Sequence, residues 1–277
     1  MNKSKYLIGD VANLIGMSRD TLRHYEKRGL VTVQKADNGY RYYTEAEVAK
    51  LLSIFYQRKM DIGLDDIAAL WNEQSPEDST ELLRDIIQQR LQEEEEAILQ
   101  HKRTIARLKL SQNDCTNIQN YLGKIILESI PASYIIDPHL NFQDGIAQWF
   151  QYTKEHPGMD TMYLFDEYCI HPETKDQPLS LDYQNSQLLL HKDMAEYTDY
   201  PITPEIPCTD DNIRYLSAFC TSQDRIPPSD VIQTMLAYAK EQTLSVKMQL
   251  FSTFLMQGVR GQKQCYYLQL FLPLCNV

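Results

Sequence analysis

No two of the six cysteines stand close together. Cys115, Cys169, Cys208, Cys220, Cys265 and Cys275 form neither a C-x-x-C zinc pair nor the dense spacing of a disulfide framework. No apolar run approaches the ~18–20 residues of a membrane span. The start, Met1-Asn2-Lys3-Ser4-Lys5, leads into an amphipathic segment with no signal-peptide core. These absences predict a chain of the reducing cytoplasm with no membrane partner. Nor is the chain basic overall: its net charge of −11 excludes a uniformly basic coat for nucleic acid. Proline and glycine are missing altogether between Thr80 and Leu122, so no turn is expected there.

The charge that is present is unevenly placed. Residues 1 to 60 hold 11 Lys and Arg against 6 Asp and Glu, whereas the other 217 residues hold 16 against 32. A basic head on an acidic body keeps a polyanion at one end of the chain. With 277 residues and 43% hydrophobic content, there is material for two or three domains, each with a core.

In the head, Ile8, Val11, Ala12, Leu14 and Ile15 recur at helical spacing, and Gly16-Met17-Ser18 breaks the pattern. Ser18 suits the N-cap of a second helix, Arg19 onward, in which Leu22 turns inward while Arg19, Thr21, Arg23 and His24 face out. Helix, tight turn, helix is the geometry that lays a second helix in a DNA major groove. Arginine there can pair with guanine edges or with phosphates, and both roles stay open for Arg19 and Arg23. Two short strands, Val31–Val33 and Arg41–Tyr43, are predicted through an Asp37-Asn38-Gly39 turn, placing Tyr40, Arg41 and Tyr42 at a wing. Thr44 and Glu47 form a capping box for a helix to about Arg58-Lys59, and a further short helix is expected over Leu64–Trp71. Tyr25 fits the core or a phosphate; Tyr43 is read as core.

The runs IGDVANLIGMSRDTLRHYEKRGLV and NGYRYYTEAEVAKLLSI resemble the winged helix-turn-helix head of MerR-family transcription regulators over about residues 6 to 72. The resemblance implies that Arg19, Thr21, Arg23, Tyr25, Tyr40, Arg41 and Lys59 contact DNA, with Ser18, His24 and Tyr42 completing the surface. His24 departs from the pattern, which more often has an aromatic residue there.

From about Thr80 to Leu122 the sequence allows one helix about 60 Å long at 1.5 Å per residue. Its seam steps by fours and threes through Ile87, Leu91, Glu94, Ile98, His101, Ile105, Leu108, Gln112, Cys115, Gln119 and Leu122. That period is a coiled coil, so a partner helix is required. The family resemblance implies an antiparallel pairing in a homodimer, and two-fold symmetry then implies an inverted-repeat DNA site.

Beyond Pro131, strands are expected at Tyr134–Ile136, Met162–Ile170, Leu188–His191, Ile213–Cys220, Lys247–Met256 and Gln264–Leu272, with helices over Asn141–Glu155 and Ser229–Gln242. A slide of 86 residues places Tyr152, Lys154, Glu155, Met162, Leu164 and Phe165 on Tyr238, Lys240, Glu241, Met248, Leu250 and Phe251. The chain therefore carries a strand-helix-strand-strand unit twice, with a groove at their pseudo-two-fold axis. This body resembles the gyrase-inhibitor-like effector-binding domain of multidrug-sensing MerR regulators over about residues 131 to 274. That resemblance implies a pocket for bulky hydrophobic or cationic compounds, where rings stack on the compound and a carboxylate favours a cation. The candidates are Trp149, Tyr163, Phe165, Glu167, Tyr168, Phe254, Tyr266 and Tyr267. Glu167 is the acid on the strand face of Tyr163 and Phe165; its repeat mate is Thr253, and the second copy's strand has no acid after Lys247.

The expected fold is α+β: a winged helix-turn-helix domain (1–75), a coiled-coil dimerisation helix (76–125) and a duplicated effector-binding domain (126–277). The expected function is a ligand-responsive regulator, an activator, that binds promoter DNA as a homodimer, works with RNA polymerase, distorts the DNA when a compound binds, and needs no cofactor. No nucleophile–base pair is evident, so catalysis is not expected. Two alternatives are a metal or redox sensor, for which the chain lacks a cysteine cluster, and a hydrolase using the body's acid and tyrosines.

Overall fold

The computed structural model describes residues 5–35, 39–72, 75–175, 177–210 and 213–275, so Asp37 and Asn38 of the expected wing turn lie outside the described residues. The chain divides into two compact units, 1–98 and 99–277. The longest helix crosses that boundary, so the expected connecting segment belongs partly to each.

The amino-terminal unit begins with β1 (Tyr6–Leu7) and α1 (Ile8–Ile15), ended by Gly16 at φ 67°, a left-handed conformation that side chains other than glycine resist. Ser18 then caps α2 (Arg19–Lys27), its Oγ accepting from Thr21 N at 3.0 Å. The strands are β2 (Gln34–Lys35) and β3 (Arg41–Tyr43), which pairs antiparallel with β1 and β2. The first wing strand thus lies beyond the expected Val31–Val33, because Val31 is drawn into the core. Next, α3 (Glu45–Lys59) starts on the Thr44–Glu47 capping box, Glu47 Oε2 accepting from Thr44 N at 2.8 Å. It is followed by α4 (Leu64–Asn72). Val11, Leu22, Leu30, Val31, Tyr43, Leu51, Ile54, Ile62 and Ile67 are buried together, with Leu83, Ile86 and Ile87 packed against them. Fully burying one such side chain stabilises by about 1.5–3 kcal/mol.

Helix α5 (Pro76–Tyr121) starts four residues before Thr80, as proline tolerates the first turn of a helix. A strand not foreseen from the sequence, β4 (Ile125–Ser129), follows it.

The described residues of the carboxy-terminal unit form a seven-stranded antiparallel sheet. Its elements are β5 (Ser133–Leu140), α6 (Phe142–Glu155), β6 (Tyr163–His171), β7 (Ser180–His191), β8 (Arg214–Ser222), α7 (Ser229–Glu241), β9 (Gln249–Arg260) and β10 (Lys263–Pro273). The strand order β4-β8-β10-β9-β6-β7-β5 sets the two strand-helix-strand-strand copies side by side, meeting at β6 and β9. There Phe165 faces Thr253, Asp166 faces Ser252 and Glu167 faces Phe251. Since the repeat offset is 86, Asp166 and Ser252 are repeat mates paired with each other, and the pseudo-two-fold axis passes between them. Strand alternation puts Leu164, Tyr168 and Ile170 on one face, where they join clusters containing Trp149 of α6 and Ile232, Met235 and Ala239 of α7. Tyr163, Phe165, Tyr215 and Phe271 lie on the other face.

Candidate functional site

The candidate residues gather on two surfaces, one in each unit. In the amino-terminal unit, α2 buries Leu22 and Tyr25 and turns its other side to solvent. Arg19 is exposed, and its guanidinium lies over Gly9, where an added Cβ would come within 2.9 Å of Nη2. Arg23 pairs with Asp20 on its own helix at 2.8 Å, with the two side chains 53% and 88% exposed. An exposed pair of this kind is worth about 0–1 kcal/mol, so Arg23 is cheaply released to another anion. Ser18 and Thr21 bond each other through their hydroxyls at 2.8 Å, and His24 is exposed beside them.

The wing is tied to this helix through Arg41. Arg41 Nε donates to Glu26 Oε2 at 2.8 Å, both side chains half-buried. Tyr40, before β3, is 60% exposed; Tyr42 is half-buried with the Lys5 ammonium 5.9 Å from its ring centre. Lys59 is exposed at the end of α3, 5.4 Å from the Phe55 ring centre. Tyr25 and Tyr43 are buried in the core, and burial pushes the Tyr43 hydroxyl upward, with Glu26 adding to the shift. Arg28, not singled out from the sequence, pairs with Asp65 at 2.7 Å on the surface.

In the carboxy-terminal unit an open groove of about 590 Å³ runs between α5, α6 and the β6–β9 seam. Of the eight residues expected in a pocket, Trp149, Tyr163, Phe254 and Tyr266 line it. Trp149 is fixed by donating Nε1–H to Met162 O at 3.1 Å, and Phe254 meets Tyr266 edge-on at 5.8 Å. Phe165 lines a smaller cavity of about 220 Å³ that shares Tyr163 and Asp114 with the groove and adds His191. Tyr168 lines a third, of about 210 Å³, with Phe142, Asp166 and Tyr183. Glu167 lines none of these three; it accepts from Asn185 Nδ2 at 2.9 Å and Gln249 Nε2 at 2.5 Å. Tyr267 also stands apart, its ring lying over Gly258 so closely that a Cβ there would come within 2.5 Å of it.

The groove's charged residues were not among those candidates. Arg107 pairs with Asp160, and Arg225 pairs with Asp166 at 3.8 Å. Asp114, on α5, has neither a hydrogen bond nor an ion pair among the described residues, and burial pushes its carboxyl up to about 6. Partial burial raises the Tyr163 hydroxyl, and Asp114 adds to that shift. Rings and opposed charges in one concavity can hold a flat apolar compound and discriminate its charge. Among the described residues no three His, Cys, Asp or Glu converge as a metal site would need. No helix among them is long and apolar enough to cross a membrane.

A family model described as "MerR HTH family regulatory protein" matches residues 6–74. The chain is 33% identical over 96 residues to the HTH-type transcriptional regulator ZntR of Escherichia coli K12, covering 34% of this chain and 68% of ZntR. It is 32% identical over 80 residues to the HTH-type transcriptional activator TipA of Streptomyces coelicolor, covering 28% of this chain and 32% of TipA. To the transcriptional regulator BrlR of Pseudomonas aeruginosa it is 33% identical over 103 residues, 36% of this chain and 38% of BrlR. The matched stretch thus spans about a third of TipA and BrlR and about two thirds of ZntR.

Proposed function

The chain belongs to the MerR family of helix-turn-helix regulators, and on that premise we propose that it is a ligand-responsive transcription regulator of the cytoplasm. The head binds promoter DNA: α2 enters the major groove with Arg19, Arg23 and His24, while Tyr40, Arg41 and Tyr42 grip the flanking backbone. Ser18 and Thr21 contribute hydroxyls, and Lys59 adds a phosphate contact. Buried Tyr25 acts through packing. The body binds a bulky hydrophobic or cationic compound and releases it unchanged.

The observation that carries the coupling is the two-sidedness of α5. One stripe leaves Leu91, Ile98, Ile105 and Leu108 each more than half exposed, an apolar seam suited to a second copy of the same helix. The opposite stripe puts Arg107, Leu110 and Asp114 into the groove. A compound in the groove therefore touches the helix whose other side forms the dimer. A shift of that helix changes the spacing of the paired heads and bends the DNA between promoter elements, for RNA polymerase to read. Bending a site costs of the order of 1–6 kcal/mol, within reach of the contacts a bent site gains. The activator assignment is supported by TipA, a similar protein named as a transcriptional activator.

The test is a DNase footprint on the DNA upstream of the chain's own coding region. Protection of an inverted repeat by a dimer is expected. A chain that protects no such sequence, or binds all DNA alike, overturns the reading.

A further inference from the structure

The 590 Å³ groove and the 210 Å³ cavity have one lining residue in common, Arg225. Its guanidinium stands between two rings, with Cζ 4.2 Å from the Phe142 centre and 5.5 Å from the Phe254 centre. Nη2 lies 3.8 Å from Asp166 Oδ2, and the other oxygen of Asp166 accepts from Ser186 Oγ at 2.6 Å. Tyr183 completes the wall, its hydroxyl 2.7 Å from Ser186 Oγ. Two aromatic faces and a carboxylate around one planar cation are the elements from which proteins build sites for cationic ligands. Here the cation belongs to the chain.

We propose that Phe142, Phe254 and Asp166 form a cation seat that Arg225 fills in the ligand-free chain, and that an aromatic cation enters by displacing this guanidinium. The inference rests on the reading that the groove takes small compounds. Three observations beyond the contacts support it. Arg225 is carried not by a strand but by the turn after β8, at φ 68°, where Asp224 Oδ1 accepts from Ser222 Oγ at 2.9 Å and from Ile226 N at 3.2 Å. Its side chain stays 22% exposed while that of Asp166 is 11% exposed, so the guanidinium is the more accessible of the two. Asp166 lies on the pseudo-two-fold axis opposite buried Ser252, so the axis carries one acid and seats one charge.

The electrostatics favour exchange over vacancy. Burial raises the carboxyl of Asp166, and Ser186 and Arg225 pull it back. Removing the guanidinium alone leaves a buried, unpaired carboxylate, which is costly. Replacing it with another cation restores the pairing. Departure of Arg225 would also join the two cavities, giving room for a multi-ring compound. Arg225 thus determines specificity: neutral compounds bind beside it, and cations must compete with it.

The test uses the full chain and two probes of similar size, cationic tetraphenylphosphonium and neutral triphenylphosphine oxide, titrated calorimetrically. Arg225→Ala and Arg225→Gln are expected to tighten tetraphenylphosphonium at least tenfold, equivalent to about 1.4 kcal/mol, and to change the oxide less than twofold. Adding Asp166→Asn, which preserves the acceptor for Ser186, should cancel the gain. If both Arg225 variants bind the cation no better while the oxide still binds, the seat is refuted and the groove stands. A gain that persists with Asp166→Asn refutes the assignment of the acid. Failure of both probes in every variant overturns the seat and the compound-binding reading together.

Discussion

The two units use the same kind of ion pair in opposite settings. In the head, Arg23 and Asp20 meet at the surface, with side chains 53% and 88% exposed. In the body, Arg225 and Asp166 meet in a cavity wall, 22% and 11% exposed. Breaking the first pair costs about 0–1 kcal/mol, so its arginine is available to any phosphate or base edge that arrives. Breaking a buried pair by removing one partner costs about 3–5 kcal/mol, so only a guest that replaces the lost charge enters easily. Exposure leaves the head's arginines ready to bind an anion, and burial is what the proposed seat uses to make the body's arginine selective.

The largest expected effect tests whether the two regions keep separate cores. Leu22, buried in the head, should cost about 2–5 kcal/mol on change to Ala. Footprinting should then be lost while calorimetric binding of compounds by the body persists. Loss of both would show one cooperative core.

Next in size is the seam. Ile98, more than half exposed on α5, becomes like-charged with its mate in Ile98→Glu. Sedimentation should move from dimer to monomer, with operator affinity falling together. A dimer that survives the change would place the partner surface elsewhere.

Arg23→Ala should act on DNA and not on folding. If Arg23 reads a base edge, operator affinity falls by about 1–3 kcal/mol; if it holds phosphate, the salt slope falls by about 1. The melting temperature should hardly move, as the pair with Asp20 is exposed. Unchanged operator affinity would remove Arg23 from the interface.

The smallest effect concerns Asp114, whose carboxyl is raised by burial from 3.8 to about 6. A raised acid favours the folded state below its unfolded value and loses that contribution as pH climbs through its folded one. Asp114→Asn should therefore melt above the unsubstituted chain at pH 7.5, by about 2–4 °C for each kcal/mol relieved. The difference should shrink from pH 6 downward and close near pH 4. A variant that melts lower at pH 7.5 would mean that the carboxylate is paired.

The head is legible because its function is written in local spacing: a left-handed Gly16, the Ser18 cap and the Thr44–Glu47 box act within a few residues. The position of the first wing strand is not, because Val31 is a good strand former that the core takes instead. In the body, the 86-residue offset reveals the duplication and the axis between its copies. Which strands meet at that axis is set by long-range pairing, and the register of Asp166 on Ser252 emerges only from the folded sheet. The body's acids are harder still. Glu167 alternates correctly with Tyr163 and Phe165, but that periodicity cannot reveal that Asn185 and Gln249 hold it. Asp114 does carry a signal, which the stronger apolar seam masks. Arg103, Arg107, Leu110, Asp114 and Asn117 step by fours and threes, a second stripe on α5 opposite the seam. Arg225 carries none, since its role depends on a turn and two distant rings.

The most direct measurement is transcription in vitro from the chain's own upstream promoter, with RNA polymerase and with or without tetraphenylphosphonium. The account predicts a transcript that rises with the compound while the footprint stays in place. A transcript indifferent to every compound that the body binds, with the promoter still occupied, would contradict it.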